Sequence, residues 1–176
     1  LRPEGIRAMQ QAAERRLNRL ERGLTDKVLY FVDTYANYCD TQLAQALVAV
    51  LEHNGIKVYV PDSQKQAAMP LISQGVLEPA RHTAEQNVAL LAEAVRQGYT
   101  IVCTEPAAAL ALTHEYPMLL PGDHDALLVS ENTLEACHYL WRCHQRGKLR
   151  LDFSPLSVSL GYHTPCHTKA LEVGTP

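Results

Sequence analysis

The sequence has no basic block, no apolar run long enough to cross a bilayer, and few aromatic residues, at 6%. Its 16 Lys and Arg against 19 Asp and Glu give a net charge of −3, which disfavours nucleic acid as a partner. The patterns GxGxxG, GxxxxGK and GxSxG are absent, so neither a phosphate-binding loop nor a hydrolase nucleophile is predicted. We expect no direct membrane span.

Disulfide-framework patterns are also missing. The five cysteines are an odd number and form no CxxC pair, which favours a reducing compartment over a disulfide-bonded secreted domain. We interpret Cys103, Cys137 and Cys143 as small buried hydrophobic residues.

What the sequence does have is the composition of a soluble globular domain, with 47% apolar and 20% charged residues. Its 176 residues suffice for one ordinary domain with an appended arm. Because the chain starts at Leu1 and stops at Pro176, we expect both ends to be cuts through a longer polypeptide.

Hydrophobic periodicity predicts alternating helices and strands. Strands are expected at 27–34, 56–61, 99–104 and 157–163, and helices at 3–22, 41–54, 77–97, 131–146 and from Pro106 onward. This alternation is typical of parallel strands joined by crossover helices. We therefore predict an α/β fold, a three-layer domain with a mostly parallel four-stranded sheet, preceded by an N-terminal helix. The predicted divisions are a linker helix (1–24), the α/β domain (25–150) and the start of a further unit (151–176).

Polar residues that suit chemistry follow the predicted strands. Glu105 lies at the end of "YTIVCT", where it suits a catalytic carboxylate or a ligand, although an acid favoured by the helix dipole is the preferred interpretation. In "YHTPCH", His163, Cys166 and His167 have the donor types that bind zinc or iron. Ligands of open α/β sheets bind beyond the carboxyl ends of the strands, which is where these residues fall.

Four stretches together resemble a known family. "VLYFVDTYANY", "LEHNGIKVYVP", "NVALLAEAVRQGYTIVCTEP" and "LGYHTPCHTKAL" are similar to the cysteine-rich CCG domain of iron–sulfur oxidoreductase subunits. That domain occurs twice in the B subunit of heterodisulfide reductase and in glycolate oxidase iron–sulfur subunits, and the nearest likeness is to the family of the C subunit of anaerobic glycerol-3-phosphate dehydrogenase. The resemblance covers about residues 27–171.

The family's repeat carries one early Cys, a CCG triplet and a late CxxC pair, whose thiolates hold an iron–sulfur cluster such as a 4Fe–4S centre. By resemblance, these five ligand positions are degenerate in this chain and fall on Thr34, Gln66, Ala67, Glu105 and Ala108, with the glycine of the triplet on Ala68. The resemblance therefore implies that this repeat has lost its cluster and persists as a structural domain.

The resemblance also implies that a second repeat begins near residue 157. Cys166 falls on its early-Cys position and would be a cluster ligand in the intact protein. In the chain as given, we expect Cys166 to be a free thiol or to bind zinc with His163 and His167.

The function implied by the resemblance belongs to the parent protein. It would be the electron-transfer part of an FAD-linked oxidoreductase that acts on a small hydroxy acid or glycerol 3-phosphate. Its partners would be a flavin domain, a ferredoxin-like domain and the second CCG repeat, in the cytoplasm or peripheral to the inner face of the membrane. We expect no cofactor and no catalytic residue in this chain. The alternative is a zinc-binding module, or a small-molecule module using Tyr35, Asn37, Gln66 and Glu105.

Overall fold

The computed structural model describes residues 26–172, which form a parallel sheet with helices on both faces. The strands are β1 (Lys27–Phe31), β2 (Lys57–Tyr59), β3 (Thr100–Cys103) and β4 (Thr133–Glu135). The helices are α1 (Thr41–His53), α2 (Met69–Ser73), α3 (Leu77–Arg96), α4 (Pro106–Leu110), α5 (Tyr116–Leu119), α6 (His124–Glu131), α7 (Ala136–Gln145) and α8 (Cys166–Ala170), with π-helical turns at Tyr35–Cys39 and Ala111–Glu115. The helix predicted over 3–22, and with it the linker of residues 1–24, lies outside the described residues.

The four strands are all parallel and lie in the order β2-β1-β3-β4. Parallel neighbours cannot be joined by a tight hairpin, so each pair needs a crossover, and helices supply all three. The first crossover contains α1, whose start is capped by Asp40 through the backbone N–H of Leu43. The predicted α/β class and the parallel four-stranded sheet are confirmed.

Side chains alternate between the two faces of the sheet and build a core on each. On one face Leu29, Phe31 and Ile101 pack with the apolar side of α3. On the other face Val28 and Tyr30 belong to a core that includes side chains of α1 and α7. Both faces of the sheet are therefore covered, as an all-parallel sheet requires. In residues 26–172, no helix is long and apolar enough to cross a lipid bilayer.

The fourth strand is not the predicted one. The helix predicted over 131–146 starts only at Ala136, because Thr133–Glu135 forms β4 and pairs with β3. Thr133 and Leu134 are buried β-forming residues, and Glu135 caps α7 by accepting a hydrogen bond from His138 N. A helical period over the whole stretch conceals these three strand residues.

The strand predicted over 157–163 is wrong for this chain, since the structure has no regular element there. A strand needs a neighbour to pair with, and β4 already occupies the edge of β3. The alternating apolar side chains are exposed instead, with Val158 at 62% and Leu160 at 90%. We refer to residues 151–162 as the exposed segment.

The exposed segment is held at its start and followed by a docked helix. Arg150 N donates to Asn54 Oδ1 at 2.7 Å, and Asp152 lies 3.0 Å from His53 Nε2, both at the end of α1. After the segment, α8 packs against α4, and Thr168 in α8 is buried. Residues 163–172 are therefore part of the folded unit, whether or not they also begin another repeat.

The thiols fall into three classes that chemical labelling distinguishes. Cys39 and Cys166 are exposed, whereas Cys103 and Cys143 are buried. Burial raises the pKa of both buried thiols, and for Cys103 well above the ordinary value. Cys137 was predicted to be buried, and that prediction is wrong, because the residue is exposed. Partial desolvation of its thiol, followed by the nearby Glu135 charge, raises its pKa to about 11.

We expect a disulfide reagent near pH 8 to modify Cys39 and Cys166 rapidly. Cys137 should react slowly, because only about one in a thousand of its thiols is then ionised and the thiolate is the nucleophile. Cys103 and Cys143 should react only after denaturation, which serves as the control for the total of five thiols. Mass mapping of labelled peptides gives the order, and rapid labelling of Cys103 would contradict the described core.

Candidate functional site at the carboxyl edge of the sheet

Three of the four predicted strand exits lie together, whereas residues 162–167 follow no strand and are not one of these exits. Thr34 follows β1, the loop of residues 60–68 follows β2, and Glu105 follows β3. Because β1 lies between β2 and β3, these three exits are neighbours at one edge of the sheet. A crevice for ligands is expected where the crossovers diverge, between β1 and β3.

The Glu105 carboxylate forms hydrogen bonds that connect the exits of β3 and β1. Its Oε1 accepts hydrogen bonds from the backbone N–H of Tyr35 at 2.9 Å and of Ala36 at 3.1 Å. Although Glu105 is at the N-cap position of α4, its side chain makes no cap hydrogen bond with that helix. Glu105 lies at the start of α4, as the sequence interpretation has it, and the dipole effect stays a prediction. In addition, its carboxylate joins the exit of β3 to the π-helical turn after β1.

Burial raises the pKa of Glu105 above its usual value near 4.5, and the charge of Asp33 adds to the rise. The hydrogen bonds from Ala36 and Tyr35 act in the opposite direction. The carboxylate is thus partly desolvated, and the two backbone donors offset only part of the cost of its charge. Both donors contact the same oxygen, Oε1, and orient the carboxylate towards the π-helical turn.

A second carboxylate joins β1 to the loop after β2. Asp33 is only 6% exposed, and its Oδ1 accepts hydrogen bonds from Ala67 N at 3.0 Å and Thr34 Oγ1 at 3.4 Å. A buried carboxylate is costly unless backbone or side-chain donors satisfy it, and Asp33 has such donors. The position after β1 is therefore tied to the position after β2.

Asn87, in α3, holds the loop after β2 by hydrogen bonds to its backbone. It is fully buried, accepts from Lys65 N at 2.8 Å, and donates to the carbonyls of Lys65 and Gln66 at 3.2 Å. Its amide also donates to Tyr116 Oη at 2.9 Å. Sequence reasoning missed Asn87; the signal was an amide on the apolar stripe of a long helix, since a buried amide must find partners.

The five positions that the resemblance aligns with cluster ligands lie in two environments. Thr34, Gln66 and Glu105 are partly or fully exposed at the edge. Ala67 and Ala108 are fully buried and belong to the same core as Phe31. The alanines thus contribute apolar packing to a region that a metal centre would otherwise need to reach.

Ala68 has a left-handed backbone, with φ 62 and ψ 12. An L-residue other than Asn or Asp rarely adopts this conformation, and glycine adopts it without steric cost. Ala68 is also the position where the family pattern has the glycine of its triplet. The turn thus has a backbone conformation that suits glycine while carrying a side chain.

The side chains at this edge do not fit an iron–sulfur cluster. Clusters are held by several thiolates, and the described side chains here are Thr, Gln, Ala and Glu. The nearest strand-end thiol, Cys103, is buried among core residues, and Cys39 is exposed at the end of the π-helical turn. Within residues 26–172, no group of three or more His, Cys, Asp or Glu side chains is arranged to hold a metal ion.

The predicted zinc ligands are only partly brought together. Cys166 Sγ lies 3.5 Å from His167 Nδ1 at the start of α8. His163 is exposed and makes no hydrogen bond with either residue in the described part of the chain. Two donors on an exposed surface leave most of a tetrahedral zinc site unfilled.

The other predicted ligand set is also divided. Asn37 and Gln66 line a cavity of about 310 Å³ beyond β1 and β2, whereas Tyr35 and Glu105 do not line it. Glu105 is committed to backbone donors, as described above. The cavity and the Glu105 contact are therefore separate features of one edge.

Comparison with known proteins gives relatives of one functional group. Over 147 residues the chain is 34% identical to the C subunit of anaerobic glycerol-3-phosphate dehydrogenase of Escherichia coli (strain K12), covering 83% of this chain and 36% of that protein. It is 27% identical over 153 residues to lactate utilization protein A of Geobacillus kaustophilus, covering 82% and 59%. It is 26% identical over 141 residues to the B subunit of fumarate reductase (CoM/CoB) of Methanothermobacter marburgensis, covering 80% and 26%.

The chain thus spans only about a third of the length of the first of these relatives. No family model and no solved structure matches it. The matched region nevertheless covers most of this chain in each of the three relatives.

Replacing Glu105 tests its bridge between the strand exits. Glu105→Ala removes the acceptor of two backbone donors and should lower the free energy of unfolding by about 1–2 kcal/mol, a value reduced for the exposure of the site. Glu105→Gln keeps an acceptor oxygen and should cost less. Denaturant unfolding of the three proteins near pH 7 measures both changes, and equal stability of all three would refute the bridge.

The same variants give a pH test with a defined sign. Because the folded-state pKa of Glu105 is raised, its contribution to stability is greatest below the unfolded pKa and is lost as pH rises through the folded pKa. The stability of the wild-type chain relative to Glu105→Gln should therefore rise as pH falls from 7 towards 4.5. A relative stability that falls over this range would contradict the assignment.

The left-handed turn at Ala68 predicts a substitution that stabilises the fold. Ala68→Gly should stabilise the fold by about 0.5–1 kcal/mol, because glycine removes the left-handed steric cost. The matched control is Ala89→Gly, at an exposed interior position of α3, which should destabilise by about 1 kcal/mol. Thermal unfolding compares the two; destabilisation by both substitutions would show that the turn is not strained.

Proposed function

Because this chain is homologous to a segment of the C subunit of anaerobic glycerol-3-phosphate dehydrogenase, we propose that it is a structural α/β domain in the electron-transfer part of an oxidoreductase. Two further relatives, lactate utilization protein A and the B subunit of a fumarate reductase, support the same broad role. In this proposal the domain positions its neighbours and carries no iron–sulfur cluster of its own.

The observation that carries the proposal is the chemistry of the five degenerate positions. Thr34, Gln66, Ala67, Glu105 and Ala108 lie at or beneath one edge of the sheet, where the family pattern would require thiolates. None of these side chains supplies the soft sulfur ligand that iron–sulfur centres use. The left-handed backbone of Ala68, at the triplet's glycine position, independently supports this alignment.

Hydrogen bonds now make the connections that ligands would make. Glu105 links the exits of β3 and β1, and Asp33 links the exits of β1 and β2. Asn87 then ties the loop to α3. A domain with these links keeps its edge ordered without a metal, which is the property that a structural repeat needs.

The exposed segment supports a second part of the proposal. Its large apolar side chains would be covered if a following repeat paired with it, and the relatives are long enough to contain one. These apolar side chains are Leu151, Phe153, Leu156, Val158, Leu160 and Tyr162, each between 61% and 90% exposed. In the intact protein, Cys166 at the start of α8 would be a cluster ligand of that repeat.

At the level of the parent protein, we infer an FAD-linked enzyme that oxidises a small hydroxy acid or glycerol 3-phosphate. Electrons would pass from flavin through iron–sulfur centres in neighbouring domains. The partners would be a flavin domain, a ferredoxin-like domain and the second repeat. Its location would be the cytoplasm or the inner face of the membrane.

Iron reconstitution tests the proposal directly. After anaerobic incubation with iron and sulfide and removal of excess reagents, the 176-residue chain should retain less than about a tenth of an equivalent of iron and no visible cluster absorbance, since a cluster needs several thiolate ligands. Several iron atoms per chain, with a brown colour, would overturn the proposal.

A matched gain-of-function variant tests the ligand positions. It carries Thr34→Cys, Gln66→Cys, Ala67→Cys, Glu105→Cys and Ala108→Cys, and should acquire iron in the same procedure. Because Ala67 and Ala108 are buried, a second variant restricted to Thr34→Cys, Gln66→Cys and Glu105→Cys guards against misfolding. Failure of a folded variant to bind any iron would show that these positions do not form a ligand set.

A further inference from the structure

The cavity of about 310 Å³ beyond β1 and β2 is separate from the positions discussed for iron, apart from Gln66. Its volume is at the lower end of the range of small-molecule sites, about 300–1,000 Å³. Residues from the β1 exit, the π-helical turn and the loop after β2 line it. Those used below are Val32, Asp33, Tyr38, Val60, Asp62 and Lys65.

One wall of the cavity carries a carboxylate with unused hydrogen-bonding capacity. Asp33 Oδ1 accepts from Ala67 N and Thr34 Oγ1, but Oδ2 accepts no hydrogen bond from any residue in 26–172. Asp33 as a whole is only 6% exposed, and Oδ2 is not among the fully buried side-chain atoms that lack a partner, so it keeps some accessible surface. A ligand donor that reaches Oδ2 would satisfy a group that the protein leaves half-used, and a cationic donor would be favoured.

The cavity also carries charges of both signs. Asp62 adds a second carboxylate, and Lys65 provides an ammonium group that forms no ion pair with the described residues. Two carboxylates and one ammonium favour a ligand with an ammonium group and a carboxylate over a simple anion. Lys65 is suited to the ligand's carboxylate, and Asp33 with Asp62 to its ammonium group.

Three apolar or aromatic side chains also line the cavity. Val32 is half-buried, and Val60 and Tyr38 are 46% and 70% exposed. Covering these surfaces with an aliphatic group would be favourable, because apolar area would leave water. The lining therefore suits a molecule that has two charged groups and an aliphatic body.

The cavity is formed before any ligand arrives. Gln64 Nε2 donates to the carbonyl of Val32, and Asn87 holds the backbone of Lys65 in both directions. Gln64 itself lines the cavity, and its Oε1 is a buried atom without a hydrogen-bond partner in the described part of the chain. A site whose walls are already fixed has less ordering entropy to lose on binding.

We propose that this cavity binds a small zwitterion with an aliphatic body, namely a free α-amino acid of about the size of leucine. Its ammonium group lies at Asp33 and Asp62, its carboxylate at Lys65, and its side chain against Val32 and Val60. This inference goes beyond the structural role proposed above, and iron content does not bear on it.

Three probes of one shape test the charge requirement on the 176-residue chain. Leucine has both charged groups, isopentylamine has only the ammonium group, and 4-methylpentanoate has only the carboxylate. Titration followed by amide resonances in a ¹⁵N-correlation NMR spectrum should show saturable leucine binding at least about tenfold tighter than either analogue. Shifts should concentrate at Asn37 and residues 62–66. Absence of saturable leucine binding, or equal affinity for 4-methylpentanoate, overturns the proposal.

Two substitutions assign the ends of the ligand. Asp33→Asn keeps the Oδ1 acceptor for Ala67 N and should weaken leucine and isopentylamine by about tenfold or more, while leaving 4-methylpentanoate unchanged. Lys65→Gln should weaken leucine and 4-methylpentanoate but not isopentylamine. Asp62→Asn, at an exposed position, repeats the first test if Asp33→Asn unfolds the chain.

The matched control is Lys57→Gln, an exposed lysine in β2 that does not line this cavity. It should bind all three probes as the wild-type chain does. Loss of leucine binding by Lys57→Gln to the same extent as by Lys65→Gln would show non-specific charge attraction, and the proposal would then be rejected.

Discussion

Two backbone N–H groups at the start of the π-helical turn, those of Tyr35 and Ala36, share one acceptor. Glu105 supplies it from the next strand exit, and the constraint propagates from this contact. The π-helical turn that starts at Tyr35 leads into α1, so the path of the first crossover depends on where that turn is held. The acceptor is charged and partly desolvated, so its position is set by hydrogen bonds to fixed backbone atoms. In open α/β proteins the crevice between diverging strand exits usually receives an external ligand; in this chain an internal carboxylate connects the two exits.

Polar side chains connect separate chain segments at this edge of the sheet. Thiolates around a cluster cross-link distant chain segments through covalent bonds to iron. Here Glu105, Asp33 and Asn87 cross-link the same exits through hydrogen bonds, each worth far less than a metal–sulfur bond. Several weak links to rigid backbone suffice because both faces of the sheet already have their own apolar core. The core supplies the folding free energy, and the edge only has to be oriented.

Local pattern was sufficient to predict β1, β3 and α3, since a short, wholly apolar run or a long amphipathic period identifies each of them. It was insufficient for β4, where only three residues pair with β3 and the helix that follows has a stronger signal. The strand prediction for the exposed segment was wrong because alternation alone does not make a strand. Pairing depends on a neighbouring strand, which local sequence does not describe. The hydrogen-bond partners of Glu105 could not be predicted, because a contact over 70 positions depends on the assembled sheet. Asn87 and the left-handed Ala68 required the packed structure, since burial and backbone angle are properties of the fold.

The exposed segment begins near the amino ends of the strands and leads to a helix near their carboxyl ends. It starts beside Asn54, just before β2, and it leads to α8, which packs on α4 beyond the end of β3. A tether that is fixed at both ends has already lost much of its freedom, in the same way that a closed loop has fewer conformations than a free tail. A neighbouring strand that pairs with it would therefore meet a template whose ordering cost was largely met during folding of this domain. Under the proposed structural role, the domain would then define the direction and the register in which the next unit assembles.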